Sequence, residues 1–409
     1  MSLTVSIVIV SRHRPELLRR CLLGISQLHY DPFEIVIVAD PATCTGLRSA
    51  PQAAFAKIIP FEQDNIAAAR NAGIDASAGE IVAFIDDDSV PEPTWLNFLM
   101  APFSHIDTAA AGGFVRARNG ISWQFQASTV DHTGRFAPIG IDPGLATILI
   151  PTEARAICTH GTNMAARRSV LERLGGFDPR FEYHLDDADF NLRLADQGLC
   201  TAIVPMAEVH HARATNKWRR DDGTPIDLGQ IGASWAVFLA KHCAAENRQS
   251  AWDRIQAEER EQACGHMVRG TLEPRDVERL MAQLRHGYAA GENRKMVMGD
   301  IAPRPTLPFQ PNPPRHDFRS IVLSGRFWQR TQLRKTARFE ANTGSVVTLI
   351  VLSPTALFHR VQFDPDGYWQ QIGGIFGKSQ RTQRLISLKT FRARVHIETH
   401  RVGKVRGLL

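Results

Sequence analysis

The start of the chain alternates between continuous apolar runs and helical patterns. The runs TVSIVIVS (4–11), FEIVIVAD (33–40) and EIVAFIDDD (80–88) are rich in β-branched residues, which is typical of strands buried on both faces. Between them, PELLRRCLLGISQL (15–28) and NIAAARNAGIDAS (65–77) repeat apolar or alanine residues at helical spacing. This alternation predicts an α/β fold with a mainly parallel sheet flanked by helices.

Polar side chains follow the predicted strands. Ser11, Asp40 and the run Asp86–Asp88 stand where the three strands end, and ligands of parallel sheets bind beyond those ends. Because side chains alternate along an extended chain, Asp86 and Asp88 face the same side. Two such carboxylates suit Mg²⁺ or Mn²⁺ bound together with substrate phosphates. The alternative is an exposed acidic turn before Pro91.

Two later clusters could complete such a site. Asp186 and Asp187 precede a helical pattern, where a carboxylate either caps the helix or acts as a general base on an acceptor hydroxyl. His210 and His211 end another strand-like run, as structural residues or as further metal ligands.

The composition changes after residue 243 and predicts four segments. Residues 1–243 form the α/β domain, and 244–302 are polar and helical in pattern. Residues 303–314 are proline-rich and predict a linker or an extended crossing segment. Residues 315–409 form an accessory region of unknown role, with a strand-like run at 345–353.

The net charge of +6 is unevenly distributed. Residues 315–409 carry 17 Lys and Arg against 5 Asp and Glu, a net charge of +12, so the rest of the chain carries −6. A basic region of this kind can contact nucleic acid, anionic lipid headgroups or an acidic glycan. The alternative is a solvated, solubilising surface.

The cysteines and the apolar segments bear on location. The six cysteines include no CxxC pair, which argues against a zinc site or a disulfide framework and fits a reducing cytosol. The N-terminus has no charged region ahead of its apolar run, so we expect no secretory signal. The longest apolar stretches, such as 346–352, are too short to span a bilayer. We therefore expect a cytoplasmic protein, with peripheral contact at the inner face of the membrane as a further option.

Taken together, the ordered motifs resemble the family 2 glycosyltransferases with the GT-A fold, from about residue 5 to about residue 240. The motifs that carry the resemblance are VSIVIVSRHRPELLRRCLLGI, EIVIVAD, NIAAARNAGIDASAGEIVAFIDDD, HGTNMAARRSVLERLGGFDPRF, HLDDADFNLRLADQG and VHHA. The resemblance implies a GT-A fold and sugar transfer from a nucleoside-diphosphate sugar, with Mn²⁺ or Mg²⁺ as cofactor.

The resemblance also implies roles for individual residues. Asp40 matches the position that contacts the nucleotide base, Arg70 matches a residue near the phosphates, and Asp86 and Asp88 match the DXD motif, with Asp88 as the metal ligand. The expected nucleotide-binding residues are Ser11, Asp40, Arg70, Asp86 and Asp87.

The acidic pair matches the family's ED motif, with Asp186 in place of the usual glutamate. Asp187 is the expected catalytic base, and Asp186 is the alternative. His211 matches a further metal ligand, and His210 is the fallback.

The expected reaction is a single displacement with inversion at the anomeric carbon. A divalent cation would neutralise the leaving diphosphate, and Asp187 would take the acceptor proton. Trp218 and Arg219 are not preceded by the glutamine of the processive synthases, so we expect transfer of one sugar to a glycan, lipid-linked or protein acceptor. No nucleic-acid partner is expected.

Two alternatives are open. A nucleotidyltransferase would require a glycine-rich basic loop early in the chain, but SRHRPELLRR (11–20) contains no glycine. A non-catalytic nucleotide- or glycan-binding scaffold is disfavoured by the presence of both Asp88 and Asp187.

Overall fold

Strands and helices alternate through the first part of the chain, in a computed structural model that describes residues 2–295, 301–315 and 319–408. The strands before residue 243 are β1 (Val5–Ser11), β2 (Phe33–Ala39), β3 (Lys57–Pro60), β4 (Ile81–Asp86), β5 (Ser89–Pro91), β6 (Thr108–Arg116), β7 (Trp123–Phe125), β8 (Ser128–Asp131), β9 (Phe136–Pro138), β10 (Thr147–Leu149), β11 (Arg155–Ile157), β12 (Asn163–Arg167) and β13 (Cys200–His211). The helices before residue 295 are α1 (Pro15–Ile25), α2 (Pro41–Leu47), α3 (Ile66–Ala76), α4 (Trp95–Met100), α5 (Arg168–Arg173), α6 (Asp186–Asp196), α7 (Gly229–His242), α8 (Ala245–Val268) and α9 (Pro274–Gly291). Short 3₁₀ helices lie at Pro51–Ala53 and Ala101–Ser104.

One sheet of ten strands organises this part of the chain. Its order is β10-β13-β6-β12-β4-β1-β2-β3, with β5 paired to β13 and β7 paired to β6. Strands β3, β2, β1 and β4 are parallel neighbours, β12 is inserted antiparallel between β4 and β6, and β6 and β13 are parallel. Six strands therefore share one direction, which confirms the predicted α/β fold with a mainly parallel sheet.

The central strands are buried on both faces. In β1, Ile7 and Ile9 pack with residues of α1 and α4, whereas Val8 packs with residues of α3 and α6. This alternation explains why the apolar runs are continuous. Val10 of β1 lies opposite Asp86 of β4, so the carboxyl ends of these strands meet at one edge.

Several elements were not predicted, among them α2, β3, β6 and β12. Residues 41–64 contain α2 and β3, which are short, and the buried Lys57 of β3 lies 2.8 Å from the buried carboxylate of Glu34. Strands β6 and β12 are rich in alanine and glycine, residues that seldom mark a strand.

The polar helices form a separate layer. Helices α7, α8 and α9 share an apolar core with Ala188 and Leu192 of α6. Residues 303–314 contain no helix or strand and extend along the N-terminal sheet, where the Gln310 amide donates to Glu34 and the Asn312 amide donates to the Phe33 carbonyl, both at 2.8 Å. This segment crosses the domain surface, and the division into four segments stays a prediction.

The C-terminal region is a small α/β unit. Its elements are β14 (Ser320–Arg326), a 3₁₀ helix (Phe327–Gln329), α10 (Arg330–Asn342), β15 (Val346–Ser353), β16 (Arg360–Phe363), β17 (Trp369–Gly374) and α11 (Phe391–Gly403). The sheet order is β14-β15-β17-β16, in which only β16 is antiparallel. Strand β15 confirms the strand expected at 345–353.

No helix in the described ranges is both long and apolar enough to cross a lipid bilayer.

Candidate functional site

A cavity of about 1440 Å³ opens at the carboxyl ends of β1 and β4. Eight of the ten predicted site residues line it, and Asp40 and His210 do not. The eight are Ser11, Arg70, Asp86, Asp87, Asp88, Asp186, Asp187 and His211. Residues that are far apart in the sequence therefore share one crevice.

The acidic turn between β4 and β5 is held against the end of β13. Ser89 of β5 pairs with His211, which places Asp88 beside that histidine. The Ala214 amide donates to Asp88 Oδ2 at 2.7 Å, and the Ala212 amide donates to the Asp88 carbonyl at 3.0 Å. The turn is thus fixed by backbone contacts from a distant segment.

Asp86, Asp88 and His211 form a cluster suited to a divalent cation. One ligand atom from each lies within 4.8 Å of the others, and His211 Nε2 is 3.1 Å from Asp88 Oδ1. Burial raises the pKa of Asp88, but the His211 imidazole, the Ala214 amide and Arg14 together lower it below its usual range. His211 Nδ1 lies 3.0 Å from Gln124 Oε1. Donation to this oxygen leaves the Nε2 lone pair facing both carboxylates, so the three residues fit a cation such as Mn²⁺ or Mg²⁺.

Asp87 faces away from this cluster. Its carboxylate accepts a hydrogen bond from Ser11 Oγ at 2.7 Å and lies 2.9 Å from the Arg14 guanidinium. Complete burial raises the pKa of Asp87 to about 7, against the effect of Arg14. The middle aspartate therefore ties β4 to the loop after β1, while its two neighbours belong to the cation-suited cluster.

The second acidic pair opens α6 after Leu185, whose φ is +67°. Asp186 forms an ion pair with Arg70 of α3, and Arg70 Nη2 is 3.4 Å from Asp86 Oδ1. One guanidinium thus bridges the two acidic clusters. Burial raises the pKa of Asp186, although Arg70 opposes this effect.

Asp187 is the more accessible member of the pair. Its side chain is 27% exposed, compared with 7% for Asp186, and its Oδ2 lies 3.6 Å from His160 Nδ1. Burial raises the pKa of Asp187, but His160, Arg70 and His184 together lower it below its usual range. Asp187 therefore offers an ionised carboxylate to the cavity.

Two predicted residues lie outside the cavity wall. Asp40 accepts hydrogen bonds from the amides of His13 (2.7 Å) and Thr43 (3.1 Å), so it caps α2 and holds the loop after β1. Burial opposes the effect of these bonds, which lower the pKa of Asp40 to about 2. Its contact with a nucleotide base stays a prediction.

His210 lies apart from the cluster of Asp86, Asp88 and His211. Neighbouring residues of a strand face opposite sides, and its Nε2 lies 2.9 Å from the buried carboxylate of Glu92, on the side of β13 that faces Trp369. This geometry disfavours His210 as the fallback ligand beside Asp88, and its role in metal binding stays a prediction.

Three residues of the HGTN run preceding β12 were missed. His160 contacts Asp187 and stacks on Phe125, with ring centroids 4.0 Å apart. Thr162 Oγ1 donates to Asp86 Oδ2 at 2.6 Å. A side chain at Gly161 would overlap the Arg70 guanidinium, so a glycine here permits the bridge. The run was recognised as part of a motif, but its contacts depend on β12 lying beside β4.

Aromatic side chains form another wall of the cavity. The rings of Tyr183 and Trp218 lie 4.0 Å apart, and Phe125, Phe136 and Trp235 also border the space. Such rings can pack against the C–H faces of sugars.

Residues 3–222 match the family model described as "Glycosyltransferase like family 2". The O-antigen biosynthesis protein RfbC of Myxococcus xanthus is 29% identical over 250 residues, which cover 54% of this chain and 18% of that protein. An N-acetylglucosaminyl-diphospho-decaprenol L-rhamnosyltransferase of Mycobacterium tuberculosis is 35% identical over 106 residues, which cover 26% of this chain and 32% of that protein.

The matched regions thus span less than a third of either relative. Among solved structures, a mannosyltransferase of Pyrobaculum calidifontis aligns with 71% of this chain and 87% of its own length, at 17% identity and with a TM-score of 0.44.

Proposed function

Because the chain belongs to glycosyltransferase family 2 and is a glycosyltransferase, we propose that it moves one sugar from a nucleoside-diphosphate sugar to an acceptor hydroxyl, with Mn²⁺ or Mg²⁺ and with inversion. One observation carries this proposal: Arg70 bridges Asp86, in the cation-suited cluster, and Asp186, the neighbour of a partly exposed carboxylate. This bridge supports the proposal because it joins the two acidic clusters within one cavity.

On the donor side, Asp88 and His211 would hold the cation, with Asp86 beside them. When bound, a divalent cation neutralises the charge that develops on a leaving diphosphate. Arg70 adds a fixed positive charge close to the same place. Ser11 and Asp87 hold the loop after β1, and Asp40 holds it through the His13 amide. We propose that this loop supports the nucleotide.

On the acceptor side, we assign the base to Asp187. Asp186 is engaged by Arg70, whereas Asp187 faces the cavity. The acceptor hydroxyl would give its proton to Asp187 while its oxygen attacks the anomeric carbon from the face opposite the diphosphate. A single attack of this kind inverts the anomeric configuration. The neighbouring His160 orients the carboxylate.

For the acceptor, we propose a glycan or a lipid-linked sugar. One relative is named for O-antigen biosynthesis, and the other is named as a rhamnosyltransferase of N-acetylglucosaminyl-diphospho-decaprenol. The aromatic wall of this cavity also suits a sugar ring. The six cysteines are free thiols, which suits a reducing compartment. We therefore place the reaction in the cytoplasm, at the inner face of the membrane.

The Asp187→Asn variant tests this assignment. Turnover should fall by about 10²–10⁴-fold because the amide cannot take the proton, while donor affinity, measured by calorimetry, stays close to that of the wild type. The matched control is Asp196→Asn, at the exposed end of the same helix. Unchanged turnover in Asp187→Asn would refute the role of this residue as the base.

A further inference from the structure

The C-terminal sheet has two edges with different surroundings. At the amino ends of its parallel strands it contacts the N-terminal domain: Gln27 Nε2 donates to the Gly367 carbonyl at 2.6 Å, and the Trp369 ring lies 4.7 Å from His210. Val90 of the N-terminal domain packs there with Val346. Because β14, β15 and β17 are parallel, their carboxyl ends all lie at the opposite edge.

Three loops extend from that opposite edge, and we call residues 326–330, 354–358 and 375–392 the carboxyl-edge surface. The loops contact one another: the Phe376 amide donates to the Thr355 carbonyl at 3.1 Å, and the Gly374 amide, at the end of β17, donates to the Leu357 carbonyl at 2.9 Å. The Arg326 guanidinium lies 4.4 Å from the centre of the Phe391 ring. The loops therefore form one continuous surface.

Large apolar side chains are exposed on this surface. They are not packed in the core, and Leu388 and Trp328 are 87% and 71% exposed. The exposed members of the group are Phe327, Trp328, Leu357, Phe358, Leu385, Ile386 and Leu388. A soluble domain rarely exposes so many large apolar residues in a few short loops unless they bind something.

The same loops are strongly basic. The carboxyl-edge surface contains seven Lys and Arg and no Asp or Glu. They are Arg326, Arg330, Lys378, Arg381, Arg384, Lys389 and Arg392. Three of these cations lie over apolar rings, including Arg330 over Phe327 and Lys378 over Phe358. None of the seven forms a salt bridge with another described residue.

We propose that the carboxyl-edge surface binds an anionic lipid bilayer. Apolar side chains that project from loops can enter the boundary between headgroups and acyl chains, while the surrounding cations contact lipid phosphates. Nucleic acid would match the charge, but it has no place for aliphatic side chains such as those of Leu385, Ile386 and Leu388. Membrane binding itself does not depend on the proposed function. Its expected benefit does, because binding would bring the enzyme to a lipid-linked acceptor.

Co-sedimentation of the full chain with vesicles tests the proposal. The wild type should bind vesicles that contain phosphatidylglycerol, should bind them less at high salt, and should bind pure phosphatidylcholine weakly. The apolar variant Leu385→Ser/Ile386→Ser/Leu388→Ser and the charge variant Arg381→Gln/Arg384→Gln should each lose about tenfold or more in affinity.

The matched control removes three exposed apolar side chains elsewhere. The variant Ile106→Ser/Ile150→Ser/Val268→Ser alters residues that are 75% to 84% exposed and lie outside the C-terminal region, and it should bind as the wild type does. Circular dichroism and donor hydrolysis without vesicles check that every variant is folded.

Two results would overturn the proposal. One is a folded wild type that does not bind anionic vesicles. If that wild type self-associates and the apolar variant does not, the surface binds a second copy of the chain instead of a bilayer. The other is equal binding by the wild type and both edge variants. Vesicle binding without nucleotide release from any donor would instead contradict the proposed function and leave this inference intact.

Discussion

Arg406 joins the C-terminal region to the N-terminal domain through a buried ion pair, and its loss should loosen that junction. Its Nε and Nη2 atoms lie 2.8 and 2.9 Å from the Glu92 carboxylate, and both side chains are 1% exposed. The guanidinium also lies 4.4 Å from the centre of the Trp369 ring. In Arg406→Met, Glu92 stays buried with His210 as its remaining side-chain hydrogen-bond partner among the described residues, and with the Glu208 carboxylate within 4.8 Å.

The size of the effect follows from this environment. Removing one partner of a buried ion pair costs about 3–5 kcal/mol, because the other charge is left without compensation. His210 can still share a proton with Glu92, so we expect about 3 kcal/mol. The double variant Glu92→Gln/Arg406→Met removes both charges and should recover most of this loss.

The loss should also depend on pH. In the wild type, burial opposes the effect of Arg406 and His210, which together lower the pKa of Glu92 to about 2. A carboxyl whose pKa is lowered by folding contributes stability above its unfolded pKa and loses it as the pH falls through the folded pKa. Without Arg406, burial instead raises the pKa of Glu92, so the loss should be largest near neutral pH and should shrink as Glu92 takes up a proton in acid.

Urea unfolding at neutral and acidic pH measures these values, with Trp369 among the fluorescent reporters. Lys404→Met is the matched control, because Lys404 is exposed and has no salt bridge with a described residue. A loss below about 1 kcal/mol for Arg406→Met, or the same loss in the double variant, would show that the ion pair does not hold the junction.

Three further predictions concern the cavity. His211→Ala should weaken Mn²⁺ binding by about tenfold or more in a calorimetric titration, because it removes one of three ligands; equal affinity would exclude His211 from the site. Gly161→Ala should lower turnover and leave the fold intact, because the added methyl group displaces Arg70 from Asp86 and Asp186; wild-type turnover would contradict the role of the bridge. Burial and the neighbouring Glu258 raise the pKa of Glu259 to about 7 in the folded protein. Because the unfolded chain loses this proton at lower pH, the buried carboxyl destabilises the fold as the pH rises from the unfolded pKa through 7. Glu259→Gln should therefore increase urea resistance at alkaline pH and leave it unchanged in acid, and the reverse pattern would contradict this pKa.

Local pattern was sufficient for the main elements of the fold. The strands β1, β2 and β4 are continuous apolar runs because they are buried on both faces, and the polar residues after them lie at one edge because the strands are parallel. Strands β6 and β12 were not predicted because they consist largely of small residues, which seldom mark a strand. Their pairing with β4 and β13 depends on segments that are distant in the sequence.

The site was predictable as a set of residues and less so as a set of contacts. The acidic clusters were identified by residue type and motif. The bridge through Arg70, the contact between His160 and Asp187, and the separation of His210 from His211 depend on strand order and on the direction of each side chain. These contacts join segments that are far apart in sequence, and no local pattern encodes them.

Nucleoside-diphosphate release from a panel of nucleotide sugars, measured with Mn²⁺ and with EDTA, tests the central claim most directly. We expect release from one donor or a small group of donors with Mn²⁺, loss of release in EDTA, and recovery when Mn²⁺ is added back. Undiminished release in EDTA would contradict the proposed role of Asp86, Asp88 and His211.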